Sequence, residues 1–302
     1  METEIRKDYF LNKYVIITPD RAKRPHVVIA KDSNKKRVKC PFCFTGIEKK
    51  LLIKHYQFPN NQVSVIKNKY PVLTLDNLKS YGKHEIIIET PKHGTELSQL
   101  PLKNFVDLLK VFQDRTLVLS KIKGIDYILI FKNQGGKAGA SLDHSHCQVF
   151  ASKLLPPDLE EEFQAMEKYQ RKNKSCPYCD IIKKEEKGPR RIYSDRYMVA
   201  FAPYASAFHY ETWIFPRRRL DNITNLSKEE LISLAKVLKK VLTKIYKLGL
   251  SYNFFLHQVV SKRNQHFYVK IQPRDSVWGG VELGSGIIVN SMSPEKAAAY
   301  LR

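Results

Sequence analysis

The chain has no run approaching about 18 apolar residues, the length of a membrane-spanning helix, so no segment of the 302 reads as one. The opening residues, METEIRKDYF, lack the apolar core of a secretory signal. The compartment expected on that reading is the cytoplasm. Glycine (13) and proline (15) are too scarce for a collagen-like or linker-dominated chain. Acidic residues are also few. Thirty of them face 52 lysines and arginines, leaving a net charge of +22. The excess is spread over both halves, +13 in residues 1–155 and +9 in 156–302, so it is no basic tail or arm. It reads either as a lysine-rich solvated surface or as an attraction for polyanions such as nucleotides, sugar phosphates or RNA.

What is present is ordinary globular material: 43 % hydrophobic, 27 % charged and 11 % aromatic residues, enough for a large buried core. Strands are predicted at 13–17, 26–30, 63–67, 84–89, 126–132 and 148–151, with a helix at 97–122. In the second half helices are predicted at 157–172 and 227–248. The latter opens on Ser227 and Glu230 in capping-box spacing. Strands follow or flank these at 197–202, 210–215, 252–257 and 266–272. Each half thus runs through a cysteine pair, strands, a long helix and more strands. That order predicts an α+β fold made of two tandem units, 1–155 and 156–302, each an antiparallel sheet with packed helices. The segment around 156–190 is the expected link.

Four of the five cysteines form two Cys-Pro-aromatic-Cys pairs, Cys40/Cys43 and Cys176/Cys179. In a cytoplasmic protein such pairs are metal ligands or redox dithiols. The polar, lysine-rich lead into Cys40 favours a zinc knuckle. The pairs start 136 residues apart, so each needs two further ligands from its own half. The fifth, Cys147, reads as a small core residue.

The chemistry concentrates in 131–150, FKNQGGKAGASLDHSHCQVF. If His144, His146 and Gln148 lie on one strand, alternation puts all three on one face. Three aligned polar side chains behind a glycine-rich loop are costly to bury without a use.

HxHxQ after such a loop resembles the histidine-triad superfamily. RKDYFLNKYVIITPDRAKRP, CPFC, ETPKH, FKNQGG, ETWIFPRR and GGVELGSG in that order are similar to its galactose-1-phosphate uridylyltransferase branch. GASLDHSHCQ and the two cysteine pairs are similar to the ADP-glucose phosphorylase-like members. The resemblance implies two histidine-triad-like halves, usually in a homodimer. It also implies ping-pong transfer of a nucleoside monophosphate from a nucleoside diphosphate sugar to a hexose 1-phosphate, through a covalent bond to His146.

On that resemblance Gln148 serves the phosphate in catalysis. Arg21, Arg24, Asn68, Asn133, Gly139, Ala140, Ser141 and Glu282 bind substrate, the amides of 139–141 as a nest of N–H groups. In some members the position of Glu282 acts across the dimer interface. Zn²⁺ is implied at two structural sites: Cys40, Cys43, His93 and His144, then Cys176, Cys179, His209 and His266. In the second half Tyr268 and Lys270 stand where the first has His146 and Gln148, so one active site is expected. The leading expectation is uridylyl transfer between UDP-glucose and galactose 1-phosphate. The alternatives are an ADP-glucose phosphorylase, a diadenosine-polyphosphate phosphorylase, and a non-catalytic nucleotide- or RNA-binding module. No membrane partner is expected, and nucleic acid is disfavoured because no exposed aromatic series interleaves with the basic residues. Related hydrolases carry a histidine where Gln148 stands, so the glutamine goes with transfer.

Overall fold

The computed structural model describes residues 2–23, 40–59, 61–260 and 265–302. The strand expected at 26–30 and Arg24 lie outside the described residues. Strands β1 (Glu4–Lys7) and β2 (Tyr14–Ile17) form an antiparallel hairpin. The first unit then runs β3 (Leu52–Phe58), β4 (Asn61–Lys67), β5 (Gly82–Ile88), helix α1 (Leu102–Ser120), β6 (Tyr127–Gln134) and β7 (His146–Ser152). Helices α2 (Pro157–Asn173) and α3 (Pro177–Glu185) follow. The second unit is β8 (Arg191–Ser194), β9 (Met198–Phe201), β10 (Thr212–Pro216), α4 (Lys228–Lys247), β11 (Ser251–His257) and β12 (Tyr268–Arg274). The chain closes with α5 (Gly280–Ser285), β13 (Ile288–Asn290) and α6 (Pro294–Leu301). β13 pairs parallel to β2, completing a small three-stranded sheet.

Among the described residues the main sheet has ten antiparallel strands in the order β3-β4-β5-β7-β6-β11-β12-β10-β9-β8. Each unit gives five strands in the same internal order, and each inserts its long helix between its third and fourth strands. The two sheets expected from the sequence are one, because β6 of the first unit pairs with β11 of the second.

One face is sealed by α1 and α4. Phe105, Leu108, Leu109 and Phe112 of α1 pack with Leu234, Leu238, Val241 and Leu242 of α4 over Val65, Ile87, Val149, Leu256 and Val269. The capping box forms as expected: the Glu230 amide donates to Ser227 Oγ and the Ser227 amide to Glu230 Oε2. α1 starts later than expected, after a 3-10 turn at Leu97–Gln99, because Pro101 has no amide hydrogen to donate and bounds the helix. The expected link contains the helix predicted at 157–172 as α2 and a second helix, α3, and Cys176 is the residue before the first turn of α3.

The other face differs between the units. In the second, Tyr178 of α3 packs on Phe201, Trp213, Phe215 and Tyr268. Tyr268 stacks on Phe215 with ring centroids 4.6 Å apart, and Lys270 lies 4.8 Å above Trp213. The place corresponding to the histidine motif is filled by aromatic core.

Candidate active site and metal centre

The strand that carries the motif begins at His146, two residues later than a strand holding all of HxHxQ requires. His144 sits in a bend before it. That offset separates the two histidines by function. His146 and Gln148 share the open face of β7, while Cys147 points into the core and donates to Glu89 Oε1 at 2.9 Å. The His144 ring leaves the sheet and meets the knuckle.

Cys40, Cys43, His93 and His144 each offer a ligand atom within 4.8 Å of the others. Cys40 Sγ lies 3.6 Å from His144 Nδ1. Cys43 Sγ lies 3.8 Å from the same nitrogen and 3.7 Å from His93 Nδ1. A tetrahedral zinc with its usual Zn–S and Zn–N bonds has S···N edges of about 3.6 Å, so the donor set fits the ion. The other nitrogen of His144 donates to the Thr90 carbonyl at 2.8 Å, which leaves Nδ1 for a metal. The knuckle turns tightly at Gly46, where a Cβ would stand 2.3 Å from the Cys40 carbonyl oxygen.

His146 is buried, 7 % exposed. Its Nδ1 donates to the His144 carbonyl at 2.8 Å, and among the described residues Nε2 has no protein partner. Burial, and secondarily the Lys132 charge, push its pKa below the ordinary histidine value, while the His144 carbonyl opposes the shift. The ring is a neutral imidazole with an unused lone pair. Phe42, from inside the CPFC motif, packs edge-on against it at 4.9 Å.

Beneath the motif lies an ion pair the sequence did not reveal. Lys132 and Glu89 side chains are both 0 % exposed and bond at 2.9 and 3.0 Å. Lys132 Nζ also donates to Ser145 Oγ at 2.9 Å and to the His146 carbonyl at 3.3 Å. Ser145 Oγ donates to Glu89 Oε2 in turn. The pair therefore holds the Ser145 side chain and the His146 carbonyl, the groups next to the His146 ring.

The glycine-rich loop is held by Asn253 of β11, which donates to Asn133 Oδ1 at 2.8 Å and to the Ala138 carbonyl at 2.9 Å. Gly135 takes φ +81° with Ser251 beside it, a place for glycine only. The amides of Gly139 and Ala140 are turned back onto the carbonyls of Gly136 and Gly135. The expected nest of three free N–H groups is thus not formed by these two, and Ser141 is exposed at its end. Asn68 accepts from the Tyr70 amide and turns its Nδ2 to His84. Arg21 and Glu282 lie at the small sheet. Glu282 caps its own short helix, accepting from the Gly279 and Val289 amides, and Arg21 adds charge beside it.

The second expected ligand set is not brought together. His209 is held by Asp275 through Nδ1 and by Ser291 Oγ through Nε2. His266 packs its ring on Tyr178 and Phe215. Cys176 and Cys179 sit at the start of α3, partly exposed. The same ligand order thus gathers four donors in the first half and not in the second, because spacing does not report which way a side chain turns.

Fold and site together define a protein of histidine-triad type whose motif histidine, His146, keeps Nε2 free of protein partners among the described residues. The family model described as galactose-1-phosphate uridyl transferase, N-terminal domain, matches residues 1–156. The chain is 30 % identical to ADP-glucose phosphorylase of Arabidopsis thaliana across 99 % of its own length and 92 % of the relative's. It is 31 % identical to galactose-1-phosphate uridylyltransferase of Thermotoga maritima across 99 % and 98 %. The crystal structure of an Arabidopsis thaliana ADP-glucose phosphorylase with bound ADP-glucose superposes with TM-score 0.88 at 29 % identity, covering 100 % of this chain and 98 % of that one. The chain belongs to the galactose-1-phosphate uridylyltransferase family.

Proposed function

We propose that the protein is a nucleotidyltransferase that moves a nucleoside monophosphate from a nucleoside diphosphate hexose to a hexose 1-phosphate. Uridylyl exchange between UDP-glucose and galactose 1-phosphate is the leading reaction. The observation that carries the reading is the His146 ring: Nδ1–H spent on the His144 carbonyl, Nε2 free beside Gln148 on one strand face. Nε2 attacks the α-phosphorus, and the bond from that phosphorus to the bridging oxygen breaks. Hexose 1-phosphate leaves with the electron pair. The acceptor phosphate then attacks the same phosphorus and frees the imidazole. As the ring becomes cationic, its hydrogen bond to the carbonyl strengthens. Gln148 donates to a non-bridging oxygen as charge shifts onto it.

Cys40, Cys43, His93 and His144 hold a structural Zn²⁺. With four protein ligands it offers no open position, so its chemistry is to tie the knuckle to the start of β7. The protein acts in the cytoplasm as a homodimer. The exposed apolar residues Val277 (92 %) and Leu283 (75 %), on either side of Glu282, support a covered surface there. No helix among the described residues is long and apolar enough to cross a membrane.

A second reading is AMP transfer from ADP-glucose to phosphate. The superposition over the whole chain with the ADP-glucose-bound structure favours it. Intact-protein mass spectrometry after mixing with UDP-glucose or ADP-glucose, without acceptor, decides between them. A uridylyl adduct supports the first reading, and an adenylyl adduct alone supports the second. No adduct with either sugar nucleotide overturns both.

A further inference from the structure

His84 is a histidine that the sequence pattern did not single out. It lies on β5, whose register sets Ile86 opposite Gln148 and His84 opposite Phe150. His84 and Gln148 are thus diagonal neighbours on the open face of the sheet. His84 Nε2 is 2.9 Å from Gln148 Oε1. On the far side of the ring, the Val72 amide donates to Nδ1 at 3.5 Å, while Asn68 Nδ2 stands 3.3 Å from both ring nitrogens. Asn68 is oriented in turn, since its Oδ1 accepts from the Tyr70 amide at 2.9 Å. The Val72 N–H points at Nδ1 and Asn68 Nδ2 favours neither nitrogen, so Nδ1 is the accepting nitrogen and Nε2 carries the hydrogen. The group it meets on Gln148 must then be the carbonyl oxygen, and the amide NH₂ is left facing the other way. Burial lowers the His84 pKa, in keeping with a neutral ring.

We propose that His84 is a positioning residue that fixes which end of Gln148 meets the substrate. This rests on the reading of Gln148 as a phosphate ligand. An unrestrained glutamine presents its oxygen as readily as its NH₂, and an oxygen turned to a phosphoryl group repels it. Holding Oε1 on His84 leaves a donor alone to face the non-bridging oxygens. The relay runs from the Val72 N–H through His84 to Gln148, with Asn68 packed beside the ring.

The experiment is a double-mutant cycle on the zinc-loaded protein, following single-turnover formation of the His146 adduct. Removing one such donor costs about 10²–10³-fold in rate, which is the fall expected for Gln148→Ala. His84→Leu is expected to slow the step by about 10- to 10²-fold, with sugar-nucleotide affinity and melting temperature near wild type. In the Gln148→Ala background His84→Leu is expected to cost nothing further. A loss that persists in full in that background overturns the proposal. A readout independent of turnover is the ¹⁵N spectrum of the His84 ring. The Nε2–H tautomer is expected, and an Nδ1–H tautomer overturns the proposal whatever the substrate. If wild type forms no adduct, the transfer reading fails on its own, and the tautomer still decides whether His84 orients Gln148.

Discussion

His144 serves His146 with its backbone and the metal cluster with its side chain: its carbonyl oxygen accepts from His146 Nδ1 at 2.8 Å, and its own Nδ1 lies 3.6 Å from Cys40 Sγ. The His146 tautomer and the donor cluster therefore depend on one residue. His146→Ala removes the proposed nucleophile and leaves that residue in place. Adduct formation and turnover are expected to fall by roughly 10⁴-fold or more, with zinc content and melting temperature unchanged. Intact mass, a coupled assay and metal analysis on one preparation check this. Turnover within tenfold of wild type would exclude covalent transfer through His146.

Loss of the proposed zinc would act on the same ring from the outside. Phe42 reaches His146 only because Cys40 and Cys43 flank it on a knuckle closed by His93 and His144. Cys43→Ala is expected to lose the zinc and several degrees of melting temperature, since metal binding and local folding are linked. Phe42→Ala is expected to keep the zinc but lose about 3 kcal/mol of stability, as for truncating a buried phenylalanine, and part of the adduct rate. Equal zinc loss in the two variants would break the proposed order from metal to Phe42 to His146.

Most of the helices and strands are legible from periodicity because α1, α4, β6 and β11 bury one clear face each. HxHxQ, the CPFC pair and His93 are legible because the residue types are rare and their chemistry narrow. What is not legible depends on register or on side-chain direction. Glu89 is 43 residues from Lys132, and His84 is 64 from Gln148; the pairing of β5 with β7 joins the second pair, and that of β7 with β6 brings in Lys132. A polar residue recurring on the face of an otherwise apolar strand, as His84 does before the EIII run, was the available signal. His209 matched the ligand order, yet Asp275 and Ser291 claim both its nitrogens. Neither partner is recognisable from spacing.

The buried Lys132–Glu89 pair predicts a specific pattern of stability. Lys132→Met leaves a carboxylate at 0 % exposure without its cation. Breaking one side of a buried pair costs about 3–5 kcal/mol. Lys132→Met with Glu89→Gln removes both charges and is expected to recover more than half of that loss in urea unfolding. Adduct formation is expected to stay slow in the double variant, because the grip on the His146 carbonyl is gone. Recovery of rate along with stability would make the pair structural only.

In the second unit, His266 is 0 % exposed, its Nε2 has no partner among the described residues, and its ring lies on Tyr178 and Phe215. Burial, and then the charge of Arg219, bring its pKa down from 6.5 to about 4. The unfolded chain takes up this proton near its ordinary pKa and the native state only near 4, so the unfolded state binds more protons between them. Stability contributed by keeping His266 neutral is therefore complete above 6.5 and lost as pH falls toward 4. Between pH 7.5 and 4.5 the loss is roughly 2–3 kcal/mol. His266→Phe keeps an aromatic ring and cannot be protonated. Its unfolding free energy is expected to fall less over that range, by that amount, in paired urea titrations. Metal analysis of the wild type is expected to give one zinc per chain, unchanged in Cys176→Ser. Two zincs, one of them lost in Cys176→Ser, would mean that His266 is a ligand rather than a buried neutral base, and the pH difference would then follow the metal.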